Sequence, residues 1–104
     1  MSERLPFLKK MAEESPDDPF FLYAICVEYR ALGLQEKALT DLNSLIDKFP
    51  DYIPAYHILG QLYLEKEESA KAREVLCSGI QLSKVAGNKK AAAEMQALVD
   101  EIDF

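Results

Sequence analysis

Residues 53–80 have the sequence IPAYHILGQLYLEKEESAKAREVLCSGI, and the spacing of the apolar residues in this stretch decides the fold. Apolar and small side chains recur every three or four positions, which places them on one face of an α-helix. The polar segment EKEES at residues 65–69 separates two such runs. The stretch therefore predicts two short helices joined by a turn.

The same pattern occurs 34 residues earlier in the chain. This offset pairs identical residues, which are Pro16 with Pro50, Asp17 with Asp51, Tyr29 with Tyr63, Lys37 with Lys71, Ala38 with Ala72, Leu42 with Leu76 and Ile46 with Ile80. A repeat of this length indicates helical units that bury their apolar faces against their neighbours, because one unit alone cannot bury its own.

Helical periodicity and the turn residues together predict six helices and no strand. Proline and aspartate mark the start of a helix, and glycine marks its end. On this basis Asp18 and Pro19 begin one helix, and Gly33 ends it. The predicted helices span residues 3–14, 19–32, 35–48, 54–66, 69–85 and 89–102.

Composition limits the classes of protein that the chain can represent. Its 104 residues suffice for one domain, and the balance of 49% apolar and 29% charged residues is that of a globular protein. A formal net charge of −6 repels phosphate backbones and anionic lipid headgroups, so we expect neither nucleic acid nor a membrane as a partner. The start of the chain carries acidic and basic residues where a signal peptide would be apolar, which predicts a cytoplasmic protein.

The residues of the repeat resemble the tetratricopeptide repeat family. The motif of that family has an aromatic residue, Leu-Gly and Tyr in its first helix, then Ala, a large apolar residue and Pro in its second. In residues 53–86 the matching positions are Tyr56, Leu59, Gly60, Tyr63, Ala72 and Leu76. Residues 19–52 match less closely, with Leu22 in place of the aromatic residue and Cys26 in place of the glycine. Lys84 stands where the closing proline would be.

The resemblance implies an all-α solenoid of helix-turn-helix units. Residues 1–18 would form the second half of a repeat, residues 19–52 and 53–86 two full repeats, and residues 87–104 a capping helix. The apolar residues expected to seal this cap are Ala91, Met95, Leu98 and Ile102.

Few residues point to catalysis. His57 is the single histidine, and no other glycine accompanies Gly33 or Gly87 in a phosphate-binding loop. Cys26 belongs to the packed face of its helix, Cys77 follows the core residue Leu76 in another helix, and no CxxC motif occurs. We therefore expect no enzymatic activity, no cofactor and no metal. A binding protein that responds to oxidation through Cys77 is the weakest alternative.

In the family that the sequence resembles, the first helix of each pair lines a concave groove. The residues that this resemblance places there are Phe20, Tyr23, Val27, Arg30, His57, Gln61 and Leu64. Two aromatic residues and a valine exceed what a solvated helix face needs, so the expected function is a non-catalytic adaptor that binds a protein or peptide segment. The family's clamp for acidic chaperone tails is absent, because Tyr23 and Val27 replace its Lys and Asn.

Two alternatives stay open at this point. The first and last helices would bury Phe20 and Tyr23 if they covered that face, and both aromatics would then belong to the core. The second alternative concerns function: the chain would be a structural subunit that self-assembles through an uncovered apolar edge. An exposed apolar stripe on the first helix would favour this homo-oligomer.

Overall fold

A computed structural model describes residues 3–104 and contains six α-helices, with no strand in that range. The helices are α1 (Arg4–Glu14), α2 (Pro19–Ala31), α3 (Gln35–Lys48), α4 (Ile53–Glu65), α5 (Ser69–Ala86) and α6 (Lys89–Asp103). The predicted all-α helical repeat fold is confirmed, and every predicted helix boundary lies within one residue of the observed one. The chain consists of two compact units, Met1–Tyr52 and Ile53–Phe104.

Local interactions explain why the helices begin and end where they do. The Asp18 carboxylate accepts a hydrogen bond of 2.9 Å from the backbone N–H of Phe20, and Pro19 provides the first residue of α2. Asn88 caps α6 in the same way through the N–H of Ala91. Gly87 ends α5 at a φ of 74°, a conformation that a residue with a Cβ rarely adopts.

The core of the first unit forms where α2 packs on α1 and α3. Its buried residues are Leu8, Ile25, Cys26, Tyr29, Ala38, Leu39, Leu42 and Leu45. Those of α2 and α3 recur at helical spacing, so in these two helices the periodicity of the sequence and the buried face coincide.

Two glycines permit close contact between helices in the second unit, where α5 packs on α4 and α6. A Cβ added to Gly60 would lie 2.5 Å from Leu76 Cγ, and one added to Gly79 would lie 2.6 Å from Met95 Sδ and 2.8 Å from Tyr56 Cβ. Real Cβ atoms do not approach their neighbours so closely. A Cβ fits at either point only if a neighbouring side chain shifts.

Helix α6 covers α5 with a face centred on Met95 and Val99, which are 0% and 3% exposed. Of the residues expected to seal the cap, Met95 is buried and Ala91, Leu98 and Ile102 are half-buried, and the expectation omitted the buried Val99. The correction has a geometric reason, since Val99 follows Met95 by four residues and lies one turn above it. On the outer side, the Arg73 guanidinium donates three hydrogen bonds to the Asp103 carboxylate, the shortest one 2.9 Å long.

Candidate functional site

Helix α2 carries four of the predicted binding residues on one side. Phe20, Tyr23, Val27 and Arg30 follow one another at intervals of three and four residues, which aligns them along the helix. We call this set the α2 stripe. It is turned away from the side of α2 that contributes Ile25, Cys26 and Tyr29 to the core of the first unit.

Phe20 is the most exposed aromatic residue of the α2 stripe. Half of its surface, 51%, is open to solvent, and its ring contacts Phe21 edge to face at a centroid distance of 5.5 Å. Val27 is 36% exposed on the same side of the helix. Phe20 therefore lies outside the core, and the alternative in which the first and last helices bury it does not apply to this residue.

Tyr23 is half-buried, and its ring packs edge to face against Tyr52 at a centroid distance of 5.7 Å. Burial raises the pKa of the Tyr23 phenol above its ordinary value, while the nearby Arg30 guanidinium opposes this rise. Burial also raises the pKa of Tyr52. Tyr23 thus contributes to the packing of the first unit and presents only part of its ring to solvent.

The other three predicted residues, His57, Gln61 and Leu64, belong to α4 in the second unit, and all are half-buried. Gln61 Nε2 lies 3.4 Å from His57 Nε2, and His57 Nδ1 lies 4.0 Å from Glu94 Oε2 of α6. The capping helix therefore lies beside this face of α4. Both ring nitrogens of His57 have polar neighbours, which fits a surface histidine in a hydrogen-bonded setting.

The two cysteines differ in accessibility. Cys26 is 1% exposed, and burial raises the pKa of its thiol to about 12, with a smaller contribution from the negative charge of Asp41. Cys77 is half-buried on α5. A thiol with so high a pKa carries almost no thiolate at neutral pH, so Cys26 is a packing residue and not a nucleophile.

Alkylation will test this assignment. We expect iodoacetamide at pH 8 to modify the native protein at Cys77 and not at Cys26, with both cysteines modified after denaturation, as read by peptide mass spectrometry. Because the folded pKa of Cys26 is raised, the stability that its neutral thiol contributes is complete below about pH 8.5 and is lost as the pH rises toward 12. Modification of Cys26 in the native protein at pH 8 would contradict the assignment.

Residues 3–104 contain no group of three or more His, Cys, Asp or Glu side chains arranged to hold a metal ion. Within the same range, none of the helices has the combination of length and apolar character that crossing a bilayer requires.

The structure contains a second surface feature that the sequence did not predict. A cleft of about 590 Å³ in the first unit is lined by Leu5, Pro6, Lys9, Tyr29, Leu32, Leu34 and Lys37. We call it the Tyr29 cleft. Its residues come from α1, from α2 and the turn after it, and from α3, so no single stretch of sequence contains the pattern. The identity of Lys37 and Lys71 across the repeat was the one indication available.

Solved structures provide an independent comparison. No protein-family model matches the sequence, and no curated protein matches it. The crystal structure of a tetratricopeptide repeat domain protein from Salinibacter ruber has a TM-score of 0.79 and 28% sequence identity, covering 83% of this chain and 96% of that one. A solution NMR structure of a tetratricopeptide repeat domain protein from the same organism has a TM-score of 0.79 and 29% identity, covering 84% and 88% of the two chains.

A third structure extends the likeness along the chain. The solution structure of a Bordetella parapertussis protein has a TM-score of 0.83 and covers 99% of this chain and 90% of that one. At 21% identity it supports the fold alone. These likenesses confirm the resemblance found in the repeat motif: the chain has the tetratricopeptide repeat fold, which serves in general as a protein-interaction module.

Proposed function

We propose that this protein is a non-catalytic adaptor whose α2 stripe binds a peptide or an extended segment of another protein. The observation that carries the proposal is the exposure of Phe20, with Val27 two turns further along the same side. Aromatic side chains contribute a large apolar area and lose little conformational entropy on binding, so they commonly anchor interfaces. Half-buried Tyr23 adds a ring that Tyr52 holds in place.

The α4 residues provide a second, more polar contact in this proposal. His57 and Gln61 offer hydrogen-bonding groups, and Leu64 adds a half-buried apolar surface. Because the chain has a net charge of −6, a neutral or weakly basic segment meets less repulsion than an acidic one. The adaptor needs no cofactor or metal for this role, and we place it in the cytoplasm.

Replacing Phe20 tests the proposal directly. We expect a partner captured by the immobilised protein to bind Phe20→Ser at least about tenfold more weakly, since hot-spot truncations commonly cost about 2 kcal/mol or more. Binding should change little between low and high salt, because the contact is mainly apolar. Isothermal titration calorimetry with the purified partner provides the affinities.

Phe7→Ser is the matched control, because Phe7 is 60% exposed on α1 and lies outside the α2 stripe. The control should bind the partner normally, and both variants should retain the circular-dichroism spectrum of the parent. Equal binding by Phe20→Ser and the parent would exclude the α2 stripe. A double variant with Tyr23→Ala is less decisive, since it also removes the contact with Tyr52.

Self-assembly is the second candidate function, and exposed apolar residues of the first unit favour it. Phe7 is 60% exposed, and Leu32 and Leu34 are each 41% exposed. Leu32 and Leu34 line the Tyr29 cleft, so an apolar surface at this place is available to another molecule.

A further inference from the structure

The Tyr29 cleft combines an apolar surface with concentrated positive charge. Leu32 and Leu34 provide exposed apolar side chains, and the ammonium groups of two lysines lie over the buried Tyr29 ring. Lys9 Nζ lies 5.9 Å and Lys37 Nζ 5.6 Å from the centroid of this ring. Both distances are within the range of a cation–π interaction.

Each of the two ammonium groups carries a positive charge at the cleft, so a ligand with negative charge would be attracted to both. In the described range, residues 3–104, the structure pairs neither Lys9 nor Lys37 with a carboxylate, although the chain carries 18 acidic residues. The cleft therefore has the chemistry to bind an apolar side chain that is accompanied by carboxylates.

The end of α6 has the complementary chemistry. Asp100, Glu101 and Phe104 line one shallow hollow, and all three are exposed. Phe104 is fully exposed, which leaves its ring without packing in this chain. We call these three residues the α6 end. The α6 end thus has two carboxylates and a phenyl ring, and the apolar cleft has two lysines, equal in number to the carboxylates and opposite to them in charge.

We propose that the α6 end of one copy of this protein docks in the Tyr29 cleft of a second copy. The Phe104 ring occupies the cleft against Leu32 and Leu34, while Asp100 and Glu101 approach Lys9 and Lys37. The two surfaces are different, so the contact is heterologous, and a single contact leaves a free cleft on one copy and a free α6 end on the other. Copies therefore add head to tail.

This contact uses none of the α2 stripe residues. An assembly of several copies consequently presents several stripes, and a partner with repeated segments would bind it with higher avidity than a single copy. The self-association does not depend on the proposed adaptor function, because separate residues carry the two.

Sedimentation equilibrium at about 150 mM salt tests the proposal, since the screening length of about 8 Å then weakens the overall repulsion between acidic copies more than it weakens contacts. We expect the weight-average mass of the parent to rise with protein concentration. Lys9→Glu with Lys37→Glu, the cleft variant, should associate at least about tenfold more weakly. Asp100→Lys with Glu101→Lys, the end variant, should do the same.

Mixing the two variants provides the sharpest result. The cleft variant retains an intact α6 end and the end variant retains an intact cleft, so an equimolar mixture should form dimers and no larger species. Restored association also shows that neither variant failed to fold. Lys89→Glu with Lys90→Glu is the control for the cleft variant, because it makes the same change of charge at exposed residues of α6 and should associate like the parent.

A parent that keeps the mass of a monomer at all concentrations would overturn the proposal. So would a mixture that stays monomeric, or a cleft variant that associates as strongly as its control. Phe104→Ser should weaken association as well, and normal association of this variant would show that the ring does not occupy the cleft.

Discussion

A chain that ends at residue 86 is expected to lose the cooperative unfolding of its second unit and to aggregate. Helix α6 contributes Met95 and Val99 to the core, with exposures of 0% and 3%. Burying one such side chain stabilises a fold by about 1.5–3 kcal/mol, so removing the pair costs about 3–6 kcal/mol, a large part of a typical total of about 5–15 kcal/mol. The deletion also uncovers Gly79 and the apolar surface around Tyr56.

Thermal unfolding followed by circular dichroism, together with light scattering after size-exclusion chromatography, will measure both effects. The stability of Met95→Ala should lie between those of the parent and the deletion, because the cavity that this substitution creates lowers the free energy of unfolding by about 2–5 kcal/mol. Asp103→Asn is the control, because it breaks only the exposed ion pair with Arg73. A truncated chain that stays monomeric with an unchanged unfolding midpoint would show that α6 does not belong to the core.

The helix boundaries were predictable because local chemistry sets them. Asp18 caps α2 through a hydrogen bond two residues away, and Gly87 ends α5 by its backbone conformation alone. Neither effect needs a distant part of the chain. The 34-residue repeat adds one further marker, since Pro16-Asp17 and Pro50-Asp51 follow the ends of α1 and α3 at the same place in successive copies.

The buried face of α6 was predictable, but the identity of every residue in it was not. Periodicity located the inward face of α6 near Met95, but it could not distinguish Leu98 from Val99 as the deeper residue. The two differ by 100° around the helix, and the neighbouring helix decides which of them it covers. Only the position of α5 supplies that information.

The exposure of the predicted binding residues depends on tertiary contacts that no motif contains. Tyr23 is half-buried because Tyr52, which precedes α4 and belongs to no helix, packs against it. The Tyr29 cleft likewise brings Lys9 and Lys37 to one ring from segments 28 residues apart in the sequence. Repeat motifs specify the positions that pack, and they leave the remaining surface to each individual sequence.

Gly60→Leu is expected to destabilise the second unit by about 3 kcal/mol, the upper part of the usual range for overpacking. Glycine is less favourable in a helix than alanine by about 0.8–1 kcal/mol and leucine ranks just below alanine, so at an open position of α4 the same change would stabilise the protein. The Cβ of the new residue would overlap the side chain of Leu76, which is fully buried and would have to shift within the core. The sign of the effect thus reports whether α4 and α5 are in contact here.

Urea denaturation measures the change, with Ala93→Leu at an exposed position of α6 as the control for adding a leucine to a helix surface. Gly60→Ala adds the Cβ alone and so measures the cost of its overlap with Leu76. In a Leu76→Ala background the same Gly60→Ala change should cost at least about 1 kcal/mol less, because the opposing atoms are gone and residues in contact couple by about 0.5–3 kcal/mol. A Gly60→Leu midpoint at or above that of the parent would mean that helix propensity outweighs contact. The packing of α4 against α5 at this glycine would then be looser than the 2.5 Å approach to Leu76 Cγ requires.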